Sequence, residues 1–147
     1  MPWFEGSHTE SRTIAAPLAT VRDHFANPAS ILANTKGVED SSVDDGVIHF
    51  VMKEEDHGVV KFKGDFRCRY ALEGDTLTWT PVGDGNMKQS GKATFTAKGD
   101  ATVVDYSETV EIDLGVPGMM APMLKPVISA LLANEMKDYV KRMAASL

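Results

Sequence analysis

Three polar side chains stand where the patterning of the chain turns side chains inward: Gln89, Glu108 and Glu135. Glu135 interrupts an apolar helical stripe, flanked by Leu131, Leu132 and Tyr139. A carboxylate in such a place must be paired, hydrated or used. Gln89 and Glu108 share their strand parity with apolar neighbours, and Arg12 shares the parity of Ile14, together with His8 and Glu10. A few convergent polar groups in an apolar pocket are the usual make-up of a small-molecule site. General acid–base work by a desolvated Glu is a second use of the same groups, and it needs a raised pKa.

Other chemistries find no support in the spacing. The four histidines, His8, His24, His49 and His57, and the one cysteine, Cys68, make no metal-ligand pattern, so neither a metal nor a cofactor is expected. Gly83-Asp84-Gly85 lacks a third glycine and a following helix, and reads as a hairpin turn. There is no Gly-x-Ser-x-Gly nucleophile elbow. His57 with Glu54, Glu55 and Asp56 reads as a solvated acidic turn, and Lys61, Lys63, Arg67 and Arg69 as a basic outer stripe balanced by acidic neighbours.

The elements that must position the candidates follow from periodicity. Leu124, Ile128, Leu131, Leu132, Met136, Tyr139 and Met143 recur at three- and four-residue steps. At about 100° per residue they form a stripe roughly 140° wide, with Asn134, Lys137, Asp138 and Lys141 opposite. This predicts one amphipathic helix of about six turns within Gly118–Leu147. Before it, residues 4–14 read as a strand. Pro17 opens a short helix through Leu18, Val21 and Phe25, which Asn27-Pro28 stops, and Ala29–Ala33 makes a second helical piece. Strands are predicted at Val38–Val43, Val47–Glu55, Val59–Leu72, Thr76–Pro81, Met87–Lys98 and Ala101–Leu114. The turns between them carry Gly with Asp or Asn.

The third hairpin has the cleanest alternation. Val60, Phe62, Phe66, Cys68 and Tyr70 alternate with Lys61, Lys63, Asp65, Arg67 and Arg69, which predicts that even positions from Val60 to Leu72 face in. By the same parity Trp79, Phe95 and Tyr106 face in. Phe66, Tyr70, Trp79, Phe95 and Tyr106 are read as core and as candidate cavity wall, and Leu131 joins that wall from the helix. Met119, Met120 and Met123 cluster where the last strand gives way to the helix; flexible thioethers line adaptable sites and also fill cores. Gly64 and Gly91 sit at inward positions, where a missing side chain permits bending or leaves room.

Whole-chain properties narrow the class. A length of 147 residues suits one domain, 1–147. The net charge of −6 and the lack of a Lys/Arg cluster argue against nucleic acid or an anionic membrane surface. One cysteine fits a reducing compartment. The N-terminus has no signal-peptide pattern and no apolar run approaches a membrane span, so a soluble, cytoplasmic protein is expected.

Thr13-Ile14-Ala15-Ala16-Pro17 with Val21 and Phe25 resembles the strand–Ala-Pro–helix opening of the START/Bet v 1-like (SRPBCC) superfamily. The likeness extends over essentially the whole chain. Gly37-Val38-Glu39 and Phe62-Lys63-Gly64 look like the CoxG-like branch, which takes its name from a component of carbon monoxide dehydrogenase. Gly115-Val116-Pro117-Gly118 is similar to the polyketide cyclase/dehydrase and lipid-transport branch. The resemblance implies an α+β helix-grip fold, a curved seven-stranded antiparallel sheet around one long C-terminal helix, with two short helices after strand 1. It also implies a cavity between sheet and helix for a lipid-, polyketide- or quinone-like molecule.

In that superfamily's sheet the first strand pairs with the last, so Arg12 is expected to meet Glu108 or Tyr106. Two readings of the contact stand side by side. Arg12 merely neutralises Glu108 in an ion pair, or Arg12, Glu108 and Glu135 orient a ligand's carbonyl or hydroxyl. The functional expectation is binding or carriage of a small hydrophobic ligand. The alternatives are a cyclase/dehydrase-type enzyme without metal and a co-chaperone-like protein-interaction module. The expected ligand set is Arg12, Phe66, Tyr70, Trp79, Gln89, Phe95, Tyr106, Glu108, Met123, Leu131 and Glu135.

Overall fold

Alternating strands joined by tight Gly/Asp turns must fold back on one another, and a single amphipathic helix must then cover the apolar face they share. The computed structural model, which describes residues 2–56 and 60–147, has this arrangement. The strands are β1 (Trp3–Ile14), β2 (Val38–Asp44), β3 (Val47–Met52), β4 (Glu55–Asp56), β5 (Lys61–Phe62), β6 (Asp65–Glu73), β7 (Thr76–Val82), β8 (Met87–Lys98) and β9 (Ala101–Asp113). Seven of them form one antiparallel sheet in the order β1-β9-β8-β7-β6-β3-β2. The helices α1 (Leu18–Ala26) and α2 (Pro28–Asn34) carry the chain from one sheet edge to the other, and α3 (Ala121–Ala145) follows the last strand. This is an α+β helix-grip fold.

Local chemistry explains the element ends. Asp45 and Gly46 turn the β2–β3 hairpin with φ of 47° and 78°, left-handed values that favour Gly and that Asp tolerates. Asn27 caps α2, its side chain accepting from the Ala29 amide at 3.0 Å, with Pro28 in the first turn. The edge strand β2 buries almost nothing and holds Glu39, Asp40 and Asp44 in solvent.

Helix α3 is fastened at its middle and at its C-terminal end. On β1, a Cβ at Gly6 would lie 2.5 Å from Leu132 Cβ and 2.9 Å from the Ser129 carbonyl oxygen, so only glycine admits the helix there. Ser129 Oγ donates to the Glu5 carbonyl at 2.5 Å. At the C-terminal end, His24 Nε2 donates to the Met143 carbonyl at 2.9 Å. Asn34 Nδ2 donates to Ser146 Oγ at 3.1 Å, and Arg142 Nε donates to the Asn34 carbonyl at 2.9 Å.

Two apolar clusters occupy the concave side. One gathers Phe25, Ile31, Phe50, Phe66, Phe95, Val140 and Met143 among others. In it Phe50 stacks on Phe66 at 4.8 Å, and Phe25 meets Phe95 edge-on at 5.5 Å. The second cluster gathers Phe4, Val60, Val110, Ile112 and Met136.

Three expectations need correction. The predicted strands Val47–Glu55 and Val59–Leu72 are each interrupted. The main ladder ends where the Met52 amide donates to the Gly64 carbonyl at 2.8 Å, and β4 and β5 continue as a separate two-stranded ribbon. The Met52 side chain lies at the break. It folds over Gly64, whose Cβ would lie 2.9 Å from Met52 Cγ. The turn expected at Asp56-His57-Gly58 and the strand start at Val59 lie outside the described residues.

The inward parity of β6 also fades at its end. Phe66 and Cys68 are buried, but Leu72, beside the hairpin turn, is 41% exposed. Finally, α3 is rolled relative to its predicted stripe. Val140 is fully buried and Leu131 is 44% exposed, because the close approach at Gly6 draws the Ser129 side of the helix down onto β1.

The alternation along β6 generates a sharp contrast. Phe66→Asp, which puts a charge into the core, should abolish cooperative folding. Lys63→Asp loses only an exposed contact to Glu39 and should leave the melting temperature nearly unchanged. Thermal denaturation followed by circular dichroism distinguishes the two.

Candidate functional site

Between the two apolar clusters the concave face is not filled. A cavity of about 180 Å³ remains under α3. Tyr70, Trp79 and Tyr106 line it from the sheet, Tyr139 and Met136 line it from α3, and Gln89 and Glu108 supply polar groups from β8 and β9. Exposed charges of both signs stand around the opening: Lys36, Lys53, Glu55 and Glu135.

One rung of the sheet organises the interior. Trp79 on β7 pairs with Gly91 on β8, and Gly91 pairs with Glu108 on β9. A Cβ at position 91 would overlap Trp79 Cζ2 and lie 2.6 Å from the Ser107 carbonyl oxygen. Only glycine leaves the space for the indole to lie across β8 and reach the next strand. There Trp79 Nε1 donates to Glu108 Oε2 at 2.8 Å, and the Tyr106 hydroxyl donates to Oε1 at 2.9 Å. Tyr70 stacks on Trp79 at 6.0 Å, and Tyr106 is tilted against it at 5.3 Å.

The electrostatics follow from burial. Glu108 is 8% exposed, and no Lys, Arg or His among the described residues forms an ion pair with it. Desolvation pushes its pKa up to about 7, against the opposing pull of the bonds from Tyr106 and Trp79. Burial also raises the phenols of Tyr70, Tyr106 and Tyr139, which stay protonated at neutral pH. The Cys68 thiol, buried and donating to the Gln89 carbonyl at 3.6 Å, is pushed up to about 12. It is no nucleophile. Among the described residues no group of His, Cys, Asp and Glu is placed to hold a metal. A carboxyl poised near neutrality in an aromatic cavity can accept from a donor when ionised, donate when protonated, or shuttle a proton.

The residues expected at the site divide into three groups. Tyr70, Trp79, Gln89, Tyr106, Glu108 and Glu135 border the cavity, Glu135 as an exposed group at its opening. Phe66 and Phe95 lie in the packed core behind it. Arg12, Met123 and Leu131 are elsewhere.

Arg12 opposes Val104, not Glu108 or Tyr106, and its Nε donates to Glu10 at 2.9 Å. His8 is the residue opposite Glu108, and its ring is bonded to Glu10 at 2.8 Å. Leu131 lies on the solvent side of α3 as a consequence of the helix roll, and Met123 (71% exposed) stands opposite the apolar stripe. Sequence reasoning missed Tyr139, Phe62, Met52 and Lys36 as cavity residues. Tyr139 was legible as the stripe residue one turn beyond Glu135; Lys36 carried no signal.

No family model matches the sequence, and no curated protein matches it. Solved structures do. A protein from Thermus thermophilus superposes with a TM-score of 0.69 at 15% identity, over 98% of this chain and 95% of that one. The Zhui aromatase/cyclase from a Streptomyces species gives 0.68 at 11% identity, over 97% and 93%. Norcoclaurine synthase from Thalictrum flavum, a point mutant in complex with a transition-state analogue, gives 0.61 at 11% identity, over 99% and 98%. The chain shares the helix-grip fold of these proteins.

Two variants test the central rung. The folded protein holds the Glu108 proton to about pH 7, whereas the unfolded chain releases it near 4.5. Between those values the folded state binds more protons, so stability should fall as pH rises, by about 3 kcal/mol in all. Glu108→Gln keeps both hydrogen bonds, with the Tyr106 hydroxyl turned to accept, and should remove that decline. Urea unfolding at pH 5 and pH 8 measures it. Gly91→Ala should displace Trp79 and cost about 1–3 kcal/mol, read in the same assay together with a shift in tryptophan emission.

Proposed function

We propose that this protein binds a small hydrophobic ligand in the cavity between its sheet and α3. The observation that carries the reading is the unfilled, aromatic-walled space with one buried carboxyl at its inner wall. Such a combination costs stability, which functional sites commonly give up. A cavity of about 180 Å³ is close to the size known to take a single aromatic ring. That favours a ring-sized ligand over a long acyl chain.

A second reading, an enzyme of the cyclase or dehydrase kind, is favoured by Glu108 itself. With a pKa near 7, it would take a proton from the carbon beside a ligand carbonyl and return it to a departing hydroxyl, releasing water. The aromatase/cyclase and synthase names among proteins of similar fold support that possibility at the level of fold alone.

Titration of the native protein with a one- or two-ring apolar ligand should be saturable at one site. Trp79 emission should respond, whereas Trp3, which lies under the Lys88 ammonium at 4.7 Å, should not. Trp79→Phe should therefore silence the optical response while calorimetry still detects binding. Binding seen only in partly denaturing solution would mean that the cavity takes no ligand in the folded protein. For the enzymatic reading, Glu108→Gln should abolish turnover of a converted ligand and retain its binding.

A further inference from the structure

From the surroundings of Glu108, and resting on the reading of the cavity as a ligand site, we infer that the ligand carries a cationic amine. The amine seats against this carboxylate, at the end of a ring-sized apolar body. The inference starts from what the structure does not need. A glutamine at position 108 would hold Trp79 Nε1 and the Tyr106 hydroxyl equally well, without placing a charge out of water. The two protein donors engage one carboxylate oxygen each and leave further acceptor positions open on both. Buried charges are ordinarily paired, and truncating one partner of such a pair is expensive. Here the partner is missing from the described residues and a cavity adjoins the charge.

The groups around the carboxyl point the same way. Cys68 and Tyr70 on β6, Tyr106 on β9 and Tyr139 on α3 are all neutral at physiological pH. His8, across the ladder on β1, is turned to Glu10, which Arg12 also holds. Arg142 lines the cavity but gives its Nε to the Asn34 carbonyl. Lys36, Lys53, Glu55 and Glu135 stand at the solvent-exposed opening with opposed signs. When Glu108 is ionised the inner wall therefore presents a single negative charge among aromatic rings, a setting that favours a cation over a neutral or anionic head group.

Three probes with one body and different heads test this: 2-phenylethylammonium, 2-phenylethanol and phenylacetate. They are titrated into the full chain by calorimetry, and by Trp79 emission in a Trp3→Phe background. At pH 8 the ammonium should bind at least about tenfold more tightly than the alcohol, and phenylacetate should bind weakest. Lowering the pH to 5.5 should erase the preference, because Glu108 then holds a proton. Glu108→Gln should erase it at pH 8 as well. The pH series on the unaltered protein keeps the inference testable if that variant folds poorly. Equal or tighter binding of the alcohol, or a preference for phenylacetate, would overturn the cationic assignment and leave the ligand site standing. Saturable binding of none of the three would overturn both.

Discussion

The desolvated carboxyl of Glu108 is the constraint that the rest of the domain accommodates. Two donors must reach it, and both come from the sheet: the hydroxyl of Tyr106 on its own strand and the indole of Trp79 two strands away. The second is possible only because Gly91 has no side chain between them. The unfavourable charge and the cavity beside it sit between two well-packed apolar clusters, with Met87 touching both. The clusters supply cohesion on either side, so the space between them can remain open.

Helix α3 is fixed at two places. Near its middle Ser129 and Leu132 lie directly on β1 at Glu5 and Gly6, and at its C-terminus His24 and Asn34 hold Met143 and Ser146. The stretch between these fixings carries Glu135 and Tyr139 over the cavity. Its height above the sheet is thus set at contacts with β1, α1 and α2, of which only Leu132 and Arg142 also border the cavity. The cavity can vary in shape and chemistry without unseating the helix.

Much of this could be read in the sequence, for a physical reason that also marks where reading fails. The alternation of Phe66 and Cys68 with Arg67 and Arg69 is local, as are the Gly/Asp turns, and both gave the seven-stranded sheet and its hairpin order, apart from the break at Gly64. Register between β1 and β9 is not local. No turn joins them, and a register offset of four residues separates Arg12 from Glu108 and leaves His8 opposite it. Helix roll is likewise decided at Gly6, over a hundred residues before the stripe it rotates. Gly91 was recognisable as an inward gap, but that an indole from β7 fills it depends on the pairing of three strands. The break at Gly64 coincides with the Met52 side chain folding over it, a contact between two strands that neither stretch announces.

The edge strand β2 has a bearing on how copies of this protein meet. An open strand edge is a template for another strand, and a sheet with ends at β1 and β2 has two such edges. On β2 the solvent-facing row includes Glu39, Asp40 and Asp44. Antiparallel pairing of two copies through this edge would bring acidic side chain against acidic side chain. That repulsion acts as a gatekeeper against edge-to-edge growth into fibrils.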